Sequence, residues 1–147
     1  MIKNEIKATG RLSVVVTDQD GAVKDSREIN NLVVTSGLGY IASRMKDATA
    51  TAMSHMAVGT GSVAAAAGDT ALGTELDRNA VTSVTVTGAD VEYVATWAAG
   101  DGTGAITEAG IFNDPTAGDM LARTVFSVVN KGAADVLTIT WTITLSV

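Results

Sequence analysis

An all-β fold, an antiparallel two-sheet sandwich of jelly-roll type, is predicted for this chain by three observations. The first is the alternation in Leu137-Thr138-Ile139-Thr140-Trp141-Thr142-Ile143-Thr144-Leu145, where every odd position is large and apolar and every even one is threonine. Successive side chains of a strand point to opposite faces, so Leu137, Ile139, Trp141, Ile143 and Leu145 form one apolar face. That face requires a second layer to cover it. The second observation is a series of β-branched runs separated by Gly, Asn and Asp turns, in a chain with fifteen glycines and one proline. The third is a single stretch of helical periodicity, at residues 35–46. Together these suggest about eight strands and one short helix. The chain of 147 residues divides into an N-terminal extension, 1–9, and one domain, 10–147.

Taken in order, residues 11–17 (RLSVVVT) read as a strand and Asp18-Gln19-Asp20-Gly21 as a turn. Residues 23–34 return as a second, more polar strand. Asp18-x-Asp20-Gly21 resembles the start of a calcium loop, but the further oxygen ligand and the terminal glutamate are missing at the required offsets. A plain hairpin turn is the better reading. Over residues 35–46 a helix is predicted, capped by Thr35 or Ser36. Leu38, Ile41 and Met45 form a stripe expected to face the protein's own core. Gly37 and Gly39 weaken this helix, and Arg44 and Lys46 suit its C-terminal end.

Residues 54–59 (SHMAVG) read as a short strand. Residues 60–77 are small and irregular and are expected to form a surface excursion packed on the sheet, with helical character near 71–76. Strand patterning resumes at 81–87 (VTSVTVT). It continues at 91–97, where Val91, Tyr93, Ala95 and Trp97 share a face. Residues 105–113, 120–129 and 136–147 supply the remaining strands, with Gly110 marking a bulge or close approach.

Chemistry is harder to find. There is no cysteine, which excludes disulfides and thiolate catalysis. His55 is the single histidine; it lies in a strand with no G-x-S-x-G motif anywhere, so a structural role is expected and zinc is not. Gly59-Thr60-Gly61-Ser62 and the Gly100–Gly104 loop lack the lysine and following helix of a P-loop. Asp90, Asp101 and Asp114 read as solvated turn acids rather than a glycosidase pair. The threonines at 138, 140, 142 and 144 resemble one rung of an ice- or carbohydrate-binding face, but a single ladder reads better as an outer sheet surface.

Residues 1–46 carry seven basic and five acidic groups; residues 47–147 carry three basic and eleven acidic ones. The acidic body argues against nucleic acid as a partner. No signal-peptide h-region and no membrane-spanning run is visible, so a soluble protein made in a cytoplasm is expected.

Several blocks carry a resemblance. They are Asn31-Leu32-Val33-Val34 leading into Gly39-Tyr40-Ile41-Ala42-Ser43-Arg44-Met45, then Met56-Ala57-Val58-Gly59-Thr60-Gly61, Gly68-Asp69-Thr70-Ala71-Leu72 and Glu75-Leu76. After these come Thr103-Gly104-Ala105-Ile106-Thr107-Glu108-Ala109-Gly110-Ile111-Phe112-Asn113, Met120-Leu121-Ala122-Arg123-Thr124-Val125-Phe126 and the terminal WTIT run. Over residues 30–147 the chain is similar to the small jelly-roll cement, or decoration, proteins that bind the outside of HK97-type capsids in short-tailed bacteriophages. The V-G-x-G, D-T-A-L and I-T-E-x-G-I-F blocks also recur in phage tail-fibre and tail-collar proteins.

The resemblance implies a structural virion protein on the capsid exterior, not an enzyme, with no cofactor, no catalytic residue and no metal. Its partners would be the major capsid protein and a second copy of itself, with no nucleic acid and no membrane. The host cytoplasm would be its place of synthesis. β-Augmentation at a sheet edge is the attachment mode such a fold offers. Ile2, Ile6, Leu38 and Ile41, apolar and near the basic end, are the candidate contacts with capsid or sister subunit.

Overall fold

The computed structural model describes residues 4–147. Its strands are β1 (Lys7–Thr17), β2 (Val23–Val33), β3 (His55–Gly59), β4 (Glu75–Ala80), β5 (Ser83–Thr87), β6 (Asp90–Trp97), β7 (Gly104–Phe112), β8 (Met120–Lys131) and β9 (Val136–Ser146). One helix, α1 (Thr35–Lys46), lies between β2 and β3. The strands form one curled antiparallel sheet in the order β4-β3-β7-β8-β2-β1-β9-β6-β5. The all-β expectation holds, and the sheet folds over on itself as a sandwich does.

The fold-over occurs in β2. Its residues up to Asn31 pair with β1, whereas Leu32 and Val33 pair with Arg123 and Ala122 of β8. One strand thus serves both layers. The ends of the curled sheet are tied by the short link between β4 and β5. There the Val81 amide donates to the Ser54 carbonyl at 2.9 Å and the Thr82 amide to that of Val94 at 2.7 Å. The Asn79 side chain donates to the Thr96 carbonyl at 3.0 Å.

Between the layers lies the core. Leu12, Val14 and Val16 of β1, Tyr93, Ala95 and Trp97 of β6 and Leu137, Ile139, Trp141 and Ile143 of β9 face Met56, Val58, Ile106, Ile111, Leu121 and Val129 from the other layer. The period of two in β9 is realised: Trp141 is fully buried and its indole N–H donates to Asn31 Oδ1 at 3.0 Å. Full burial of such side chains contributes about 1.5–3 kcal/mol each. The alternating threonines are partly exposed on the outer face.

Four expectations change. β1 begins at Lys7, paired with Ser146, so the extension is shorter than residues 1–9. Glu75–Ala80 is a strand, not loop or helix: it pairs with β3 despite a polar sequence, because pairing to a buried neighbour overrides weak intrinsic preference. Strands among the described residues therefore number nine. The helix has the predicted bounds, but of the predicted stripe only Ile41 packs against the core. Leu38 and Met45 are exposed at 49% and 84%, and only Gly37 is buried.

The physical reason for that rotation is close packing. A Cβ on Gly37 would overlap the main-chain carbonyl of Leu121, so glycine here lets α1 rest on β8. The Ser36 hydroxyl donates to the Met120 carbonyl at 2.8 Å instead of capping the helix, and Val34 is the N-cap residue. At the other hairpin, the Asp18 carboxylate accepts the amides of Asp20 and Ala22 at 2.9 and 3.0 Å, an ordinary turn arrangement.

Gly37 and Gly39 should therefore respond oppositely to alanine. Gly39→Ala, with open space around it, is expected to stabilise the fold by about 0.5–1 kcal/mol. Gly37→Ala is expected to destabilise it by about 1–3 kcal/mol through overlap. Urea unfolding of both variants measures the two signs.

Candidate functional site

Two charged residues stand inside otherwise apolar strands: Glu108 in β7 and Arg123 in β8. Their neighbours alternate or run apolar, so both side chains are carried into the interior, fully for Glu108 and almost fully for Arg123. They meet there. Arg123 donates to Glu108 Oε2 from Nη2 at 2.8 Å and from Nε at 3.3 Å. Its Nη1 reaches Asp69 Oδ2 at 2.7 Å, and Nη2 also donates to the Val63 carbonyl at 3.0 Å.

The remaining lone pairs of Glu108 are taken by main chain. Oε1 accepts the amides of Gly61 at 2.9 Å and Thr74 at 2.7 Å, and Oε2 that of Gly73 at 2.8 Å. Glycine at 59 and 61 is required by this approach, since a Cβ at either position would overlap the carboxylate. The loop 60–74 is thus held at both ends by one side chain. Its middle is fixed through Asp69, whose Oδ2 accepts the Ala66 amide at 2.8 Å. Ala67 in turn accepts the Thr35 amide at 2.8 Å, which joins the loop to the start of α1. Leu72 is buried beneath the loop with Val34, Ala57, Phe112 and Met120.

The electrostatics follow from these bonds. Burial pushes the Glu108 carboxyl upward, but the amides of Thr74, Gly73 and Gly61 and the Arg123 guanidinium outweigh it and hold the group below the usual carboxylate range. The Ala66 amide and Arg123 likewise hold Asp69 low, against a smaller opposing effect of burial. With its oxygens occupied by five donors, Glu108 is a structural anion and not a free base.

A second cation, Lys131, is also buried, its ammonium donating to the Ala98 carbonyl at 3.0 Å. Burial lowers its pKa, opposed by Asp135, Asp101 and Asp77. His55 Nδ1 lies 2.8 Å from the Ser54 hydroxyl, its sequence neighbour. Among the described residues no cluster of three or more acidic, His or Cys side chains could hold a metal, and no helix is long and apolar enough to cross a membrane.

Of the four candidate contact residues, Ile2 lies outside the described residues. Ile6 is 75% exposed and sits in a shallow apolar depression with Leu145 and Val147. Ile41 is half-buried and lines a groove of about 330 Å³ with Tyr40, Val86, Tyr93 and Leu145. Leu145 is common to both, so the fold brings Ile6 and Ile41 to one end of the molecule. Leu38 lies one turn before Ile41 on α1, with its side chain half-exposed. Tyr93, at the floor of the groove, has its phenol pushed up to about 12 by burial and by nearby Tyr40.

Sequence reasoning missed two features. One is that the strand read over 81–87, with Val84 and Val86, is a sheet edge, which depends on topology. The other is the ion-paired knot, signalled only by charges inside apolar runs. A polar trough of about 520 Å³ crosses the outer face, lined by Arg11, Glu28, Glu92, Thr140 and Thr142. Compared with protein-family models, curated proteins and solved structures, the chain gives no match.

Breaking the knot should be costly and pH-revealing. Glu108→Gln leaves the buried Arg123 with Asp69 as its one remaining carboxylate partner and is expected to cost about 3 kcal/mol at neutral pH. The folded-state pKa values of Glu108 and Asp69 lie below their unfolded values. Their contribution is therefore complete above the ordinary carboxylate range, about pH 4–5, and is lost as pH falls through the lowered values. Unfolding free energy measured from pH 7 to 2 should fall on the acid side in the parent, and less steeply in Glu108→Gln.

Proposed function

We propose that this protein is a structural component of a bacteriophage virion, a cement protein that binds the outside of an HK97-type head and stabilises it by bridging capsomers. The observation that carries the reading is where the phage-like blocks fall in space. Gly59-Thr60-Gly61, Asp69-Thr70-Ala71-Leu72, the Glu108 block and the Arg123 block, distant in sequence, converge on a single ion-paired knot. The residues behind the resemblance thus build a scaffold with no spare reactive group in the knot, as a protein that works through surface contact requires.

The physical mode of action follows from mass action. A ligand that binds only the assembled shell lowers the free energy of that state relative to its disassembled subunits. The protein would be dimeric, with the major capsid protein as its other partner. Exposed apolar side chains on α1, β5 and the end of β9 supply contact area without catalysis.

Heads assembled without this protein are expected to release DNA at lower temperature, or sooner under chelation, than complete heads, and added purified protein should restore them. Gold-labelled antibody on intact particles is expected to decorate the head. Label confined to the tail would instead assign the chain to a tail fibre or collar, where the same blocks recur. Equal resistance of both kinds of head would remove the cement role.

A further inference from the structure

The two edges of the curled sheet differ in kind. The β4 edge carries Glu75, Asp77 and Arg78, and Arg78 is bonded to Glu75 and to the Asp114 and Ala117 carbonyls. Charges of this sort discourage another strand from pairing. The β5 edge, Ser83-Val84-Thr85-Val86-Thr87, has no charge, no proline and exposure along its whole length. Its valines are 47% and 68% exposed although they project to the same side as buried Tyr93 and half-buried Val91, their partners on β6.

The geometry of the β5–β6 hairpin decides which backbone groups are free. Thr87 and Asp90 flank a two-residue turn with Gly88 at φ 61°, the arrangement of a II′ hairpin. The residues flanking such a turn exchange hydrogen bonds with each other. Thr87, Thr85 and Ser83 therefore bond to β6, and the amides and carbonyls of Val84 and Val86 point outward. The strand is symmetric about Thr85. Antiparallel pairing with an identical strand, on a two-fold axis through Thr85, sets Val84 opposite Val86 of the second copy and Val86 opposite its Val84. Each of those pairs exchanges both backbone hydrogen bonds, and all the valines fall on one face.

We infer that β5 is a homodimer interface, at which a second copy of this chain adds its own β5 edge to edge across a two-fold axis. A neutral edge suits a chain of net charge −6, because two acidic bodies meet where neither carries charge. Five-residue strands alone bury little beside the ~1,200–2,000 Å² of a specific interface. Val86, however, also lines the mainly apolar groove with Tyr40, Ile41, Leu145 and the single charge Arg44, and the exposed Leu38 and Met45 continue that surface along α1. The isologous contact therefore extends from the strand into the groove.

This deepens the dimeric part of the proposed function and rests on it, but not on attachment to a shell, so the two fail separately. The purified full chain, examined by sedimentation and light scattering across a concentration series, is expected to reach twice the 14.9 kDa chain mass. Val84→Lys/Val86→Lys and Val84→Glu/Val86→Glu, at exposed positions, should each keep the parent circular dichroism and sediment as monomers. Mixing the two variants should restore the dimer, because lysine then faces glutamate across the axis. A parent that stays monomeric, or variants that remain dimeric alone, would overturn the interface. If both variants fail to fold, Val86→Pro takes their place, since it removes only an outward-facing amide; a dimer persisting in it also overturns the interface. A parent chain that is monomeric yet still stabilises heads would sink this inference and spare the cement role.

Discussion

The Glu108–Arg123 ion pair is the contact on which the rest of this molecule depends. It joins adjacent strands of one layer, but its larger effect is on chain that has no regular structure of its own. The loop 60–74 would otherwise leave several amides without partners near the core. Glu108 accepts three of them, at Gly61, Gly73 and Thr74, while Arg123 takes the Val63 carbonyl and the Asp69 carboxylate. Buried ion pairs are poor sources of net stability when compared with apolar replacements. The value of this one is specification: one loop conformation satisfies every group, and alternatives strand a charge in a low-dielectric interior.

From that fixed loop the second layer is assembled. The loop delivers the chain into β4, seats Leu72 over Phe112 and Met120, and through Ala67 meets the first turn of α1. The helix in turn rests on β8 through Gly37 and packs Tyr40 and Ile41 against the core, which leaves Leu38 and Met45 facing outward. An apolar surface at one end of the sandwich is thus a product of close backbone packing at another point, and not of a shortage of core.

How much of this was legible in the sequence depends on the range of the interaction. Period two in β9 and β6 reports only which side of a sheet is buried, and Trp141, Trp97 and Tyr93 lie where alternation puts them. The helix bounds were readable because the spacing of Leu38, Ile41 and Met45 is local, although neither Thr35 nor Ser36 caps it. Its buried face was not, since the overlap at Gly37 involves a carbonyl from Leu121, far along the chain. Glu75–Ala80 hid for the same reason: ELDRNA has no strand signal until β3 lies beside it. In the knot the glycines were visible as turn signals and the charges as oddities in apolar runs. Their convergence required the fold. Ile6 and Ile41 meet at one end of the molecule through their shared neighbour Leu145, and the exposed valines of β5 belong to an edge; strand order, not sequence position, defines both.

The position of β9 has a consequence for how the chain is made. It lies between β1 and β6 and pairs with both along its length, yet it is made after both of them. Until it emerges, the hairpin of β1 and β2 holds Leu12, Val14 and Val16 against nothing, with one ladder of backbone groups unsatisfied. β1 and β6 therefore wait half-paired until β9 follows them, and this layer closes around a strand made after both of its neighbours.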